Sequence, residues 1–85
     1  MRIDLISLVV PAYKQEKTIV RDVKALEKAL SEISYKYEII IVVDGRADKT
    51  FEKAKNVKSK NIKVLGYEKN RGKGYTVKYG MLKAK

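Results

Sequence analysis

The sequence predicts an α/β fold of three layers, β-α-β-α-β-α, with a parallel sheet of strand order 3-2-1. Three observations carry this. Apolar, strand-like runs alternate with segments of helical periodicity, the pattern of a parallel sheet covered by helices. One run, Ile39-Ile40-Ile41-Val42-Val43, is five consecutive β-branched residues, as expected of a strand buried on both faces. The three strand-end loops, near Pro11, near Asp44 and over Tyr67–Gly74, then fall on one carboxyl edge, where open α/β sheets bind ligands.

The first strand is predicted over Leu5–Val10. It stops at Pro11, the only proline, because proline cannot donate to a ladder. Pro11–Glu16 is the loop into a helix over Lys17–Ile33. There Ile19, Val23, Leu26, Leu30 and Ile33 recur at alternating spacings of four and three, one apolar face. Thr18 is the predicted N-cap. The central strand spans Tyr35–Val43 and breaks at Asp44-Gly45, where glycine lets the backbone turn. Asp48 stands at an N-cap position for a helix over Asp48–Ser59, with Phe51, Ala54 and Val57 inward. Asn61–Tyr67 is the third strand. Glu68–Gly74 is a polar, basic, glycine-rich loop. Tyr75–Ala84 is the last helix, with Val77, Met81 and Ala84 on one side; Gly80 costs it about 1 kcal/mol against alanine.

At 85 residues the chain, 1–85, is one small domain or part of a larger one. Without cysteine it has no disulfide, and without histidine it lacks the commonest general base and zinc ligand. Charge is uneven: residues 1–43 hold seven basic and six acidic side chains, residues 44–85 thirteen and four. A basic half points to anionic partners. Lysine-rich, cysteine-free compositions also occur in thermophile proteins, where the lysines are simply solvated. No apolar run approaches the roughly 20 residues of a membrane span. Leu5–Val10 lacks a signal peptide's flanks, so a soluble, cytoplasmic chain is expected.

At the shared edge, Asp44 is the first functional candidate, since it places a carboxylate at the end of a buried strand. Tyr13 can stack on a flat ligand or pack on the sheet edge. Arg71-Gly72-Lys73-Gly74 has features of a phosphate cradle: glycines that free backbone N–H groups, a lysine, and a helix start. It matches neither the P-loop spacing nor Gly-x-Gly-x-x-Gly, since Val77 holds the last position. A tight turn into the helix explains it equally well.

Three blocks together carry a resemblance: Leu8-Val9-Val10-Pro11-Ala12-Tyr13; Tyr37–Gly45 followed by Asp48 and Thr50; and Glu68-x-Asn70-Arg71-Gly72-Lys73-Gly74. In order and spacing they resemble the N-terminal half of family 2 glycosyltransferases of the dolichyl-phosphate mannosyl- or glucosyltransferase type, from about residue 5 to 85. The resemblance implies a GT-A fold, whose first half is Rossmann-like, and a UDP- or GDP-linked sugar as ligand. It implies that Pro11, Ala12, Tyr13, Gln15 and Gly45 belong to the nucleotide pocket, and that Val42 and Asp44 meet the base. The residue chemistry agrees at Asp44: a carboxylate accepts the imide N–H of uracil or the N1–H and amino group of guanine. Arg71, Gly72 and Lys73 form the expected phosphate-side loop. The chain departs from the family at five positions. Lys14 and Gln15 replace Asn-Glu in the first loop. Val43 replaces the first acid of Asp-Asp-Gly-Ser, and Arg46-Ala47 replaces the Ser-Thr that follows its glycine.

The family's Asp-x-Asp metal motif follows a segment like Met81–Lys85 and is not within this sequence. The expectation is therefore a donor-binding portion with no catalytic residue, no metal ligand and no cofactor of its own. Mg²⁺ or Mn²⁺ belongs to the full-length family, which transfers a sugar to an acceptor such as a polyprenyl phosphate or a glycan. The alternatives are a small basic nucleic-acid-binding domain, disfavoured because no helix-turn-helix, RNP or zinc pattern occurs, and a strand-donating partner subunit. Leu5–Val10, left as an open edge, is expected to support self-association. The cytoplasmic face of a membrane is the expected location if the acceptor is lipid-linked.

Overall fold

The computed structural model describes residues 5–84. Its elements are β1 (Leu5–Ala12), α1 (Ile19–Ser31), β2 (Lys36–Asp44), α2 (Thr50–Lys55), β3 (Ile62–Tyr67) and α3 (Lys73–Lys83). The strands form one parallel sheet in the order β1-β2-β3, the predicted 3-2-1 read from the other edge. Lys85 lies outside the described residues.

Side-chain alternation along β2 divides the core. Ile39, Ile41 and Val43 join Ala12, Ile19, Val23 and Ala54 in a buried cluster beneath α1 and α2. Val42 points to the opposite layer, where it meets α3. Both faces of β2 are thus covered, which is why its sequence is an unbroken apolar run. In register, Pro11 pairs with Val42, and Val42 with Leu65; Asp44 pairs with Tyr67.

Several predicted boundaries change. β1 runs through Pro11 to Ala12 instead of stopping before the proline. Among the described residues β1 has β2 as its one neighbour, and an edge strand can accommodate a residue without an N–H. α1 is shorter than its periodicity suggests. Ile33 lies beyond it and is exposed, while Leu26 and Leu30 pack against the core. Thr18 occupies the N-cap position of α1 without a side-chain cap bond; the Gln15 carbonyl accepts the Thr18 and Ile19 N–H groups instead. α2 ends at Lys55, although Val57 still packs on the core.

The largest difference is in α3. Its buried residues are Thr76 and Gly80, whereas Met81, predicted to face inward, is 65% exposed. Small residues face the sheet because the helix lies close to it. A Cβ added at Gly80 would come within 2.4 Å of Val9 Cγ1 and 3.0 Å of Val42 Cγ2. Over β3 the gap is instead filled by aromatic rings. Tyr67 meets Tyr75 and Tyr79 edge-on, with centroids 5.2 and 5.4 Å away, a favoured geometry for ring pairs.

Gly80→Ala is therefore expected to destabilise the fold by about 1–3 kcal/mol through overpacking. The usual gain from replacing a helical glycine, about 1 kcal/mol, would be overridden. Urea unfolding of the parent and the variant measures the sign directly.

Candidate functional site

The three strand-end loops converge as the topology requires. They enclose one open cleft of roughly 440 Å³. Pro11, Ala12, Tyr13 and Gln15 contribute from the β1–α1 loop, Asp44 from the end of β2, and Asn70, Gly72, Lys73 and Thr76 from the β3–α3 loop and the first turns of α3.

The first loop is held from below by α2. The Asp48 carboxylate accepts the Thr50 N–H at 2.9 Å, the Thr50 hydroxyl, and the Glu16 N–H at 3.3 Å. Thr50 Oγ1 in turn accepts the Gln15 N–H at 2.7 Å. Asp48 was expected as an N-cap and stands one residue before the cap position, held by Lys49, yet still binds the start of α2. Burial pushes its carboxyl pKa upward. The bonds from Thr50 and Glu16, with the nearby Lys14 ammonium, outweigh this and hold it below the ordinary value. The tether sets the rim of the cleft. Lys14 turns the loop at φ 50°, a left-handed conformation that asparagine adopts more readily than lysine. Gln15 Oε1 accepts the Tyr13 N–H at 3.2 Å, bracing the loop internally. Tyr13 itself is 44% exposed, with the Lys14 ammonium over its ring at 5.4 Å.

Asp44 forms the floor. Its carboxylate is almost wholly buried and accepts the Arg71 N–H at 2.7 Å, the Asn70 amide at 2.9 Å and the Gly72 N–H at 3.0 Å. Burial alone would raise its pKa. The Arg71 and Gly72 N–H groups, with the Tyr67 and Thr76 hydroxyls close by, reverse the direction and keep it below the ordinary carboxylate value. Next to it the Tyr67 hydroxyl, hydrogen-bonded with Thr76 Oγ1 at 2.7 Å, is pushed above its ordinary value by burial and by the Asp44 charge. Thr76 also donates to the Gly72 carbonyl at 2.8 Å, closing the first turn of α3.

Of the residues singled out from the sequence, Pro11, Ala12, Tyr13, Gln15, Asp44, Gly72 and Lys73 share the cleft. Val42 does not line it; it is fully buried against α3. Gly45, at φ 86°, lies behind the floor, where a Cβ would be 2.9 Å from the Asn70 nitrogen. Arg71 contributes its N–H to Asp44 and turns its guanidinium over the Tyr75 ring at 5.3 Å. The N–H groups of Arg71 and Gly72 are thus engaged by Asp44. Arg46, in place of the family's serine, lies over the Phe51 ring at 4.0 Å, and its N–H bonds the Glu68 carbonyl. Asn70 and Thr76 were not recognised as site residues. Asn70 stood within a quoted motif, and Thr76 shows only as one of the small residues Thr76, Gly80 and Ala84 spaced every four. Among the described residues no group of three or more His, Cys, Asp or Glu side chains can hold a metal ion.

An open parallel sheet alternating with helices, with a cleft at its carboxyl edge, is a Rossmann-like α/β architecture. The sequence profile of glycosyl transferase family 2 matches residues 7–85, and the chain belongs to that family. It is 37% identical over 86 residues to dolichyl-phosphate beta-glucosyltransferase of Dictyostelium discoideum, covering 91% of this chain and 26% of the relative. It is 40% identical over 83 residues to dolichyl-phosphate beta-glucosyltransferase ALG5C of Trichomonas vaginalis, covering 89% and 25%. Undecaprenyl-phosphate 4-deoxy-4-formamido-L-arabinose transferase of Proteus mirabilis is 26% identical over 86 residues, covering 98% and 26%. The chain thus spans about a quarter of the length of these curated relatives.

Both site carboxylates titrate below the ordinary value of 3.8 in the folded state. Their charged forms therefore favour folding. That stability is fully present above about pH 4 and is lost as pH falls through the lowered folded values. Denaturant midpoints measured from pH 6 to pH 2 are expected to drop below pH 4, and less steeply in Asp48→Asn.

Proposed function

We propose that the cleft binds the nucleotide of a UDP- or GDP-linked sugar, and that the protein to which this sequence belongs transfers that sugar to an acceptor such as a polyprenyl phosphate or a glycan. The observation that carries this reading is the meeting of an exposed Tyr13 ring, a carboxylate floor and Lys73 in one open cleft. Tyr13 offers its face to the base, and Lys73 offers a cation to the diphosphate. Asp44 keeps little free capacity. Three loop donors occupy a carboxylate with about four lone-pair positions, so at most one remains for an imide N–H. The relatives' names supply the acceptor class: two carry dolichyl phosphate and one undecaprenyl phosphate. No helix among the described residues is long and apolar enough to cross a membrane. A lipid-linked acceptor would place the protein at the cytoplasmic face of one.

We also propose that the outer edge of β1 pairs with a second copy of the chain. Among the described residues β1 has only β2 as a strand neighbour, and Leu5 on it is exposed.

Calorimetric titration of the 85-residue chain with UDP and GDP is expected to show binding of one of them. Base–aromatic stacking is worth roughly 1–3 kcal/mol, so Tyr13→Ala should weaken binding about tenfold or more. Binding of neither nucleotide would overturn the reading. Sedimentation across a wide concentration range is expected to reveal a dimer; a monomer throughout would rule out pairing through β1.

A further inference from the structure

Asp44 stands where a ligand-reading acid is expected, yet its carboxylate is turned to the protein's own loop. Oδ1 accepts the Arg71 N–H at 2.7 Å, and Oδ2 accepts both the Asn70 amide at 2.9 Å and the Gly72 N–H at 3.0 Å. Successive backbone N–H groups converging on one anion form a nest of the kind that holds phosphate elsewhere. Here the anion is built in.

We propose that Asp44 is a positioning residue whose carboxylate holds the 70–72 segment, and that loss of this clasp by itself alters ligand binding through that segment. The consequence for binding rests on the nucleotide reading above; the clasp itself does not.

The surroundings fit a clasp. Gly72 sits at φ 91°, which turns its N–H and that of Arg71 to the same side as the Asn70 amide. Gly45 has no side chain to keep Asn70 away, and the Arg46 N–H to Glu68 carbonyl bond at 3.1 Å closes the loop from its other end. The Gly72 carbonyl receives the Thr76 N–H and hydroxyl, so the segment that Asp44 holds is also the start of α3. Lys73 follows directly and lines the cleft. Without the carboxylate, three donors would face a nearly solvent-free floor with no acceptor. An amide in its place would turn an NH₂ against at least one of them. Asp44→Asn is therefore not conservative here.

The test is amide NMR of the full chain without ligand. In the parent, lowering the pH should move the Arg71 and Gly72 amide proton resonances together, with a midpoint below the ordinary 3.8. The other charged and titratable groups around the loop are Tyr67, Glu68, Lys69, Arg71 and Lys73, so the titration is repeated in Glu68→Gln to assign the response to Asp44. In Asp44→Asn, hydrogen exchange at the Arg71 and Gly72 amides should accelerate roughly ten- to hundredfold, the scale of a lost buried partner. Nucleotide binding should weaken in step with that loosening. Asn70→Ala should loosen the Gly72 amide less, because Asp44 remains. Resonances that ignore acid, or an Asp44→Asn loop as protected as the parent's, would overturn the proposal. If Asp44→Asn does not fold, the parent titration still decides. If the amides respond but the parent binds neither UDP nor GDP, the clasp stands and the nucleotide reading falls.

Discussion

A single buried carboxylate ties the ends of this sheet together. Asp44 terminates the central strand, and the three donors it accepts all come from the loop after the neighbouring strand. Charge-assisted bonds of this kind are roughly twice as strong as neutral ones. Their strength here answers a cost, because a buried carboxylate is tolerated only when it is well solvated by the protein. The cleft and the core are therefore not separable. The residue that forms the floor of the first is the last residue of the strand that forms the centre of the second.

Asp48 performs the corresponding task on the other wall. It and Thr50 bind the backbone of Gln15 and Glu16, so the β1–α1 loop rests on the start of α2. Two acids thus fix two loops, and both spend their charge on backbone N–H groups. What remains exposed to a ligand is of a different character: an aromatic ring, a lysine and small side chains. The site is electropositive at its rim and satisfied at its base, an arrangement suited to an anionic ligand.

Much of the fold was legible in the sequence because its strongest signals are periodic. The β-branched run of β2, and the four-and-three spacing of α1 between Ile19 and Leu30, depend on burial and survive in the structure. Boundaries were less legible where local chemistry competes with tertiary context. Pro11 ends a central strand but not an edge one, and the order 3-2-1 already leaves Leu5–Val10 at an edge, so the proline rule overrode the topology. Met81 was assigned inward because it is apolar. The helix instead turns Thr76 and Gly80 to the sheet, since close approach favours small residues over large ones. Of the site, the loops and Asp44 were readable from strand ends and motif order. The partners of Asp44 were not. A backbone N–H carries no residue identity, so the bonds from Arg71 and Gly72 leave no mark in the sequence, and Asn70 is only one polar residue in a polar loop.

The contact at Gly80 has a mechanical side. Gly80 lies eight residues beyond Gly72, about 12 Å along a helix, and its backbone rests directly on Val9 and Val42. A helix seated on the sheet at that point cannot come closer to it, so the separation of α3 from β1 and β2 is set where Gly80 meets Val9 and Val42, and the larger side chains of Met81 and Leu82 are left on the outer surface.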